Sequence, residues 1–131
     1  MAELLLDTTV LIDALRGKCA AGRLRELAST GAAPPYVCAV NVEELWRGAR
    51  ANEEETIQRL LGALRMAPLG AAEGERAGTW RRDFAASGTT LSQADCLIAA
   101  AALGVGATLA TGNVRDYPMP ELDVDHWPTG I

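Results

Sequence analysis

The sequence is poor in the residues that build zinc and disulfide sites. Its 131 residues include one histidine, His126, and three cysteines, Cys19, Cys38 and Cys96, which form no C-x-x-C pair. Scattered cysteines in odd number argue against a disulfide framework and against a Cys/His metal module. We therefore predict three reduced cysteines in a cytoplasmic protein, and we interpret His126 as a structural residue.

Long apolar runs and lysines are also scarce. No apolar stretch approaches the roughly 20 residues that cross a bilayer, and the opening MAELLLD lacks the basic region of a signal peptide. The formal net charge is −5, and every basic residue except Lys18 is an arginine. A protein that coats nucleic acid nonspecifically is expected to be basic, so this balance argues against that class. It does not exclude a nuclease whose acidic site binds cations.

Short apolar segments alternate with segments of helical periodicity along the whole chain. The predicted strands are 3–7, 36–40, 107–111 and a last short strand within 121–127, with 66–70 as a strand or turn. The predicted helices are 8–17, 20–31, 42–51, 53–65, 71–88 and 92–104, with 112–117 as a turn or short helix. This alternation predicts a single α/β domain over residues 1–131, with three α/β/α layers around a short-stranded, mainly parallel central sheet.

Polar side chains follow two of the predicted strands. Asp7 ends the first strand, Thr111 ends the strand at 107–111, and Asn113 and Asp116 follow that strand. Ligands of open α/β sheets bind beyond the carboxyl ends of the strands, so these groups can converge there. Asp7 is equally compatible with a plain helix N-cap, and Asp116 with a solvated loop residue.

Helical spacing separates two adjacent glutamates. Glu43 shares its face with two arginines, Arg47 and Arg50, which predicts a solvated ion-paired stripe. Glu44 shares its face with small or apolar residues, Val40, Gly48 and Ala51. We therefore expect Glu44 to point into the protein or a cleft, which makes it the functional candidate of the pair.

Asp95 opens the alanine-rich helix three residues after Ser92, a spacing typical of a capping box. Its helical face is otherwise apolar, carrying Leu91, Ile98, Ala99 and Ala102. That face predicts an aspartate at the protein interior or a cleft floor, where capping and ligand binding are compatible roles. The remaining aspartates have no distinguishing context and are interpreted as surface residues: Asp13, Asp83, Asp123 and Asp125.

Gathering several carboxylates raises a physical problem. Two carboxylates about 4 Å apart repel by roughly 4 kcal/mol at an effective dielectric constant of about 20. A divalent cation that prefers hard oxygen ligands turns this repulsion into attraction, and carboxylates with water suit Mg²⁺ or Mn²⁺.

Four segments resemble, in order and spacing, the acidic blocks of PIN-domain ribonucleases, with the VapC-type toxins of bacterial toxin–antitoxin pairs as the nearest group. The segments are LLLDTTVLID, VNVEELWRG, SQADCLIAAAAL and LATGNVRDY. The resemblance covers essentially the whole chain. It implies a PIN-like fold.

The resemblance also assigns site residues. The strand-end acid of the family corresponds to Asp7, the glutamate of the second block to Glu44, and the helix-opening aspartate to Asp95. The fourth acid falls on Asn113 in some members and on Asp116 in others; we favour Asp116 and expect Asn113 to help. Supporting polar roles are expected for Thr9 and Thr111. The implied metal ligands are Asp7, Asp95 and Asp116, with Glu44 binding the metal or orienting water.

The family implies hydrolysis of RNA, often tRNA or ribosomal RNA, with one or two Mg²⁺ or Mn²⁺ ions. It also implies a cytoplasmic homodimer that is inhibited by a cognate antitoxin. An amphipathic antitoxin helix could lie in a groove lined by 42–51 and 57–66. Five arginines are candidates for holding RNA phosphates, although a solvated surface residue or a contact to an acidic partner is the more common role of each: Arg16, Arg76, Arg81, Arg82 and Arg115.

Three other functions remain open from the sequence. A Mg²⁺-binding receiver-like signalling module also has strand-end aspartates, but it usually has an acidic pair near the first strand and a lysine after a late one. A phosphohydrolase with an aspartate nucleophile usually has a second aspartate two residues on, where this chain has Thr9. A PIN domain that has lost catalysis and acts only as a binding partner is the third.

Overall fold

The computed structural model describes residues 3–130. The strands are β1 (Leu4–Leu6), β2 (Tyr36–Val37), β3 (Arg65–Met66), β4 (Thr108–Thr111) and β5 (Val124–His126). The helices are α1 (Thr8–Leu15), α2 (Cys19–Ser29), α3 (Ala39–Arg47), α4 (Glu54–Gly62), α5 (Ala71–Ala86) and α6 (Gln93–Gly104). A short 3₁₀ helix, Val114–Asp116, follows β4.

The five strands form one sheet in the order β3-β2-β1-β4-β5, and all neighbouring strands are parallel. Leu5 of β1 pairs with Tyr36 on one side and with Leu109 on the other. From β1 the chain adds β2 and β3 on one side, and it then crosses to the other side of β1 to form β4. The boundary between β1 and β4 is therefore the switch point, where ligands bind in such sheets. A receiver-like module of the flavodoxin type would place β1 between β2 and β3, so this strand order excludes that alternative.

Two hydrophobic clusters cover the faces of the sheet. One contains β1, β2 and β4 residues with the buried faces of α1, α3 and α4, including Leu6, Val10 and Ile57. The other packs α5 and α6 against the opposite face, with four consecutive buried alanines, Ala99 to Ala102, in α6. The small side chains let α6 lie close to its neighbours. The predicted three-layer α/β/α fold with a short-stranded central sheet is confirmed.

Several predicted boundaries need correction. The strand predicted at 36–40 ends at Val37, because the Asn41 side chain accepts a hydrogen bond from the Cys38 backbone N–H (2.8 Å) and starts α3 immediately. The helix predicted at 42–51 ends at Arg47, where Gly48 caps it. The other helices and strands fall within a few residues of their predicted positions. Across residues 3–130, no helix is long and apolar enough to cross a membrane.

Asp13 was predicted to be a surface residue, and this prediction is wrong. It is 5% exposed, and its carboxylate accepts hydrogen bonds from the backbone N–H groups of Ala20 (2.7 Å) and Gly130 (2.6 Å). The sequence gives no sign of this, since Gly130 is distant along the chain. Asp13 therefore ties the start of α2 and the C-terminal segment to α1.

A cleft lined by four carboxylates

Asp7 lies at the end of β1 and serves as the N-cap of α1. It is 3% exposed, and one carboxylate oxygen accepts from the Val10 backbone N–H (3.2 Å) and the Thr9 hydroxyl (2.5 Å). The other oxygen accepts from the Thr111 hydroxyl (2.5 Å) and, more distantly, from the Tyr117 hydroxyl (3.3 Å). Hydrogen bonds to the ionised form offset the cost of burying this charge. The capping role is therefore real, but two of the four donors are distant along the chain: Thr111 ends β4, and Tyr117 lies beyond it.

Tyr117 joins two of the acids. Its hydroxyl lies 3.3 Å from an oxygen of Asp7 and 3.3 Å from an oxygen of Asp95, and the residue is buried. Burial raises the pKa of the Tyr117 phenol, and the two neighbouring carboxylates raise it further. The phenol therefore keeps its proton and acts as a hydrogen-bond donor between the two carboxylates.

Asp95 lies in the first turn of α6, where its backbone N–H donates to the Ser92 hydroxyl (3.1 Å), as the predicted cap requires. Burial raises the pKa of the Asp95 carboxyl, and the charges of Asp116 and Asp7 add to this effect. Hydrogen bonds from Ser92 and Tyr117 oppose it without cancelling it. The negative charge of Asp95 is thus unfavourable in the absence of a cation, first because the group is partly buried and second because other carboxylates lie close to it.

Glu44 points into the same cleft, as its helical face predicted. Its carboxylate accepts a hydrogen bond from the Thr8 hydroxyl (2.6 Å), and that hydroxyl accepts one from the buried Asn41 side chain (3.1 Å). Asn41 is fixed in turn by its bond to the Cys38 backbone. Glu44 is therefore held by contacts that link α3 to the start of α1.

The loop after β4 brings both candidates for the fourth acid together. The Asn113 amide donates to the Asp116 carboxylate (2.9 Å), and the Asn113 backbone N–H donates to the Thr111 hydroxyl (2.9 Å). Asp116 lines the cleft, whereas Asn113 is exposed beside it. This arrangement favours Asp116 as the acid that faces the cleft and Asn113 as the residue that orients it.

The four carboxylates line one cleft of about 300 Å³ at the carboxyl ends of β1 and β4. The other lining residues are Thr8, Thr9, Ile12, Arg47, Gly48, Ile98 and Tyr117. A larger cavity of about 410 Å³ lies along α5, but its chemistry is mixed, with Arg76 close to Glu121. The acidic cleft is therefore the candidate site.

The donor set of this cleft fits a hydrated divalent cation. Within residues 3–130, no three Asp, Glu, His or Cys side chains are arranged to hold a metal ion by themselves. Mg²⁺ commonly uses only one or two protein carboxylates and keeps several waters, so it needs no such cage. Four carboxylates around one cleft supply hard oxygen ligands, and a bound cation would offset the burial and the nearby charges that raise the pKa of Asp95. Simultaneous ligation by Asp7, Asp95 and Asp116 stays a prediction.

The arginines selected from the sequence lie around the cleft's periphery or on α5. Arg16 is close to Glu53 (3.6 Å), and Arg115 is exposed next to Asp116 in the 3₁₀ helix. The three arginines of α5 contact other groups. Arg76 lies close to Glu121, Arg81 donates to the Leu91 carbonyl, and Arg82 pairs with Asp83. None of these five lines the cleft. RNA binding by them stays a prediction.

Four residues of the candidate site were not predicted from the sequence. Arg47 lines the cleft. The sequence predicted an ion-paired stripe of Glu43 with Arg47, but within residues 3–130 no ion pair joins these two side chains. Thr8 and Asn41 position Glu44, and Tyr117 links Asp7 to Asp95. Asn41 carried a usable signal, since it lies one helical turn before Glu44. Tyr117 directly follows Asp116, but its direction depends on the loop after β4.

Comparisons with known proteins agree on one family. A family model described as the PIN domain matches residues 4–118. The chain is 36% identical over 118 residues to ribonuclease VapC10 of Mycobacterium tuberculosis, covering 90% of this chain and 88% of the relative. It is 34% identical over 120 residues to ribonuclease VapC19 of the same species, covering 90% of this chain and 95% of the relative.

Solved structures show the same fold. VapBC2 from Rickettsia felis, bound to a DNA fragment from its promoter, has a TM-score of 0.77 at 23% identity, over 95% of this chain and 98% of that one. DNA-bound VapBC from Salmonella typhimurium also has a TM-score of 0.77, at 21% identity, over 97% of this chain and 99% of that one. At these identities the structural matches establish the fold alone.

Proposed function

The chain belongs to the PIN-domain family, and we propose that it is a divalent-metal-dependent endoribonuclease, the toxin of a toxin–antitoxin pair. The relatives VapC10 and VapC19 are named ribonucleases. The observation that carries the proposal is the convergence of Asp7, Glu44, Asp95 and Asp116 on one cleft from four separate segments. Four acids at one place are costly for stability, and a nuclease site explains why they are kept.

Each acid has a role in the proposal. Asp7, Asp95 and Asp116 would hold one or two Mg²⁺ or Mn²⁺ ions, and Glu44 would bind a metal or orient the attacking water. When bound, the cation supplies charge stabilisation at the phosphoryl group and lowers the pKa of water. Thr9 and Thr111 hold the Asp7 carboxylate in one orientation through their hydroxyl groups. Asn113 does the same for Asp116.

The RNA substrate has to approach an acidic cleft, so cationic groups near its rim matter. Arg47 lines the cleft and is exposed, which lets its guanidinium contact a phosphate in bidentate fashion. Arg115, exposed next to Asp116, and Arg16 are further candidates. We assign Arg76, Arg81 and Arg82 a lesser role, since they contact other residues on and around α5. A tRNA or ribosomal RNA substrate is carried over from the family.

Metal removal tests the proposed chemistry directly. Incubated with total RNA and Mg²⁺, the protein is expected to cut discrete phosphodiester bonds, and EDTA should abolish cleavage until Mg²⁺ or Mn²⁺ is restored. The products should carry 5′-phosphate and 3′-hydroxyl ends, which end-labelling with kinase and ligase can distinguish. Metal-free cleavage through the 2′-hydroxyl usually needs two groups that titrate near neutral pH. Cyclic-phosphate ends made in EDTA would contradict the proposal.

The proposed partner is a cognate antitoxin, because the neighbouring solved structures are VapBC complexes. An apolar groove of about 330 Å³ lies between α2 and α4 and suits an amphipathic helix. Its lining is entirely apolar: Leu24, Leu27, Ala28, Ala32, Ala33, Pro34, Pro35, Leu60, Ala63 and Leu64. The groove includes α4, as the sequence suggested, but α2 supplies its other wall in place of α3. A homodimer and a cytoplasmic location complete the proposal.

A charge placed in this groove is expected to weaken antitoxin binding. Ala63 is exposed and lines the groove, so Ala63→Glu adds a carboxylate without removing core packing. Burying that charge against an apolar helix is costly, and we expect the Kd for the cognate antitoxin to rise about 10- to 100-fold. The measurement is titration calorimetry of the purified partners. Gln58→Glu is the control, since Gln58 is exposed on α4 outside the groove. Equal affinities for both variants would place the antitoxin elsewhere.

A further inference from the structure

We propose that the Tyr117 hydroxyl occupies the gap between Asp7 and Asp95 that a shared cation has to enter, and that it thereby weakens the cation affinity of the site. This inference rests on the proposed metal-dependent function. It adds a role for a residue outside the four acids. Tyr117 acts through the two carboxylates and is therefore a positioning residue.

Protein donors already occupy the lone pairs of the Asp7 carboxylate. A carboxylate offers about four acceptor positions, and four protein donors reach this one. They are the hydroxyls of Thr9, Thr111 and Tyr117 and the backbone N–H of Val10. Because Asp7 is also 3% exposed, direct binding of a cation requires at least one of these donors to give way.

Three of the four donors to Asp7 are held in place by other contacts. The Val10 N–H belongs to the first turn of α1, which Asp7 caps. Thr9 and Thr111 donate over 2.5 Å. Each of these hydroxyls also accepts a backbone N–H, from Gly112 (3.2 Å) and Asn113 (2.9 Å) respectively. Their protons are therefore directed at Asp7 by a second contact.

The Tyr117 hydroxyl differs from the other three. Its distance to Asp7, 3.3 Å, is the longest of the four, and it lies equally far from Asp95. A phenol has one proton, so it can donate fully to only one carboxylate at a time. The hydroxyl thus partly relieves the repulsion between two acids, which is the role a cation would fill more completely. It is the donor that a cation displaces at least cost.

The ring of Tyr117 stays in place whatever the hydroxyl does. It is 4% exposed and belongs to the hydrophobic cluster beneath α5 and α6. Tyr117→Phe should therefore keep the packing and remove only the oxygen. The variant loses the hydrogen bonds that favour the metal-free site, while the four acids remain. Cation binding then no longer has to break those bonds.

The test is Mn²⁺ binding, measured by titration calorimetry and by electron paramagnetic resonance of free Mn²⁺. We expect Tyr117→Phe to lower the Kd for Mn²⁺ by about 3- to 10-fold. The metal-free variant should melt about 2–5 °C lower than wild type, and Mn²⁺ should raise its Tm by more than it raises that of wild type. Tyr36→Phe is the matched control, because the Tyr36 hydroxyl contacts Arg65 of β3, at the opposite edge of the sheet from β4. This variant should bind Mn²⁺ as wild type does.

The outcomes separate this inference from the proposed function. If wild type binds Mn²⁺, Asp7→Asn does not, and Tyr117→Phe has the wild-type Kd or a weaker one, the inference is wrong while the metal site stands. If Tyr117→Phe has a lower Tm but the wild-type affinity for Mn²⁺, the hydroxyl is purely structural, and the inference is again wrong while the metal site stands. If neither wild type nor Tyr117→Phe binds Mn²⁺, both the inference and the proposed function are overturned.

Discussion

Asp7→Asn is expected to lower RNA cleavage by about 1000-fold or more, equivalent to roughly 4 kcal/mol of transition-state stabilisation. The amide has the shape of the carboxylate but no charge, so the site loses the most buried of its four acids. The fold should survive, because Asn caps helices about as well as Asp. A hydroxyl has two acceptor lone pairs, so Thr9 or Thr111 can accept from the new amide while it keeps the backbone N–H that it already accepts. The measurement is single-turnover cleavage of labelled RNA in Mg²⁺.

The control for this variant is another Asp→Asn change outside the cleft. Asp123 is exposed in the loop before β5, and Asp123→Asn should cleave RNA at the wild-type rate. A circular dichroism spectrum and a melting curve for Asp7→Asn guard against loss of structure. Cleavage at comparable rates by wild type and folded Asp7→Asn would refute the nuclease assignment.

Asp95→Asn is expected to separate activity from stability. Cleavage should fall by about 100-fold or more, since the variant removes a proposed metal ligand. The free energy of unfolding of the metal-free protein at pH 7 should rise. Burial raises the pKa of Asp95, and the charges of Asp116 and Asp7 raise it further, so the ionised group opposes folding on balance. The helix N-terminus favours a negative charge by about 0.3–1 kcal/mol, which limits the gain.

The difference in stability between wild type and Asp95→Asn should depend on pH in a defined direction. Because the pKa of Asp95 is higher in the folded protein than in the unfolded chain, the folded state binds the proton more readily. Wild type should therefore lose stability, relative to Asp95→Asn, as pH rises from the unfolded value of about 4 through the folded pKa. Below that window the two proteins should differ little. Urea unfolding in EDTA at several pH values measures this difference.

A matched variant checks that the gain comes from crowding at the cleft. Asp83 is exposed on α5 and lies beside Arg82. Asp83→Asn should leave cleavage unchanged and should not stabilise the protein at pH 7. If Asp95→Asn were less stable than wild type in EDTA at pH 7, the carboxylates would not be in mutual conflict.

Much of the fold follows from local patterns. The apolar segment at 4–6 and the alanine-rich stretch at 93–104 form β1 and α6, because period and burial agree there. The boundary at Cys38 was misjudged, since the apolar residues of 36–40 suit a strand. A capping contact from Asn41 turns the chain into a helix instead. Such a contact depends on one side chain, which periodicity does not register.

The site was predictable where its residues are placed by regular elements. The end of β1 places Asp7, and the faces of α3 and α6 place Glu44 and Asp95, so strand and helix geometry made them candidates. The resemblance to PIN-domain ribonucleases then assigned them to the site. The contacts that orient these acids run between distant segments. Thr111 at the end of β4 and Tyr117 after it reach Asp7 from more than a hundred residues along the chain. Only the folded arrangement shows those contacts.

The shared cation is tested most directly by anomalous diffraction from a crystal soaked in Mn²⁺. We expect an anomalous peak in the cleft, next to Asp7 and Asp95, and no peak there in crystals of Asp7→Asn. A wild-type crystal with Mn²⁺ sites elsewhere and none in this cleft would contradict the idea that a divalent cation is what brings the four carboxylates together.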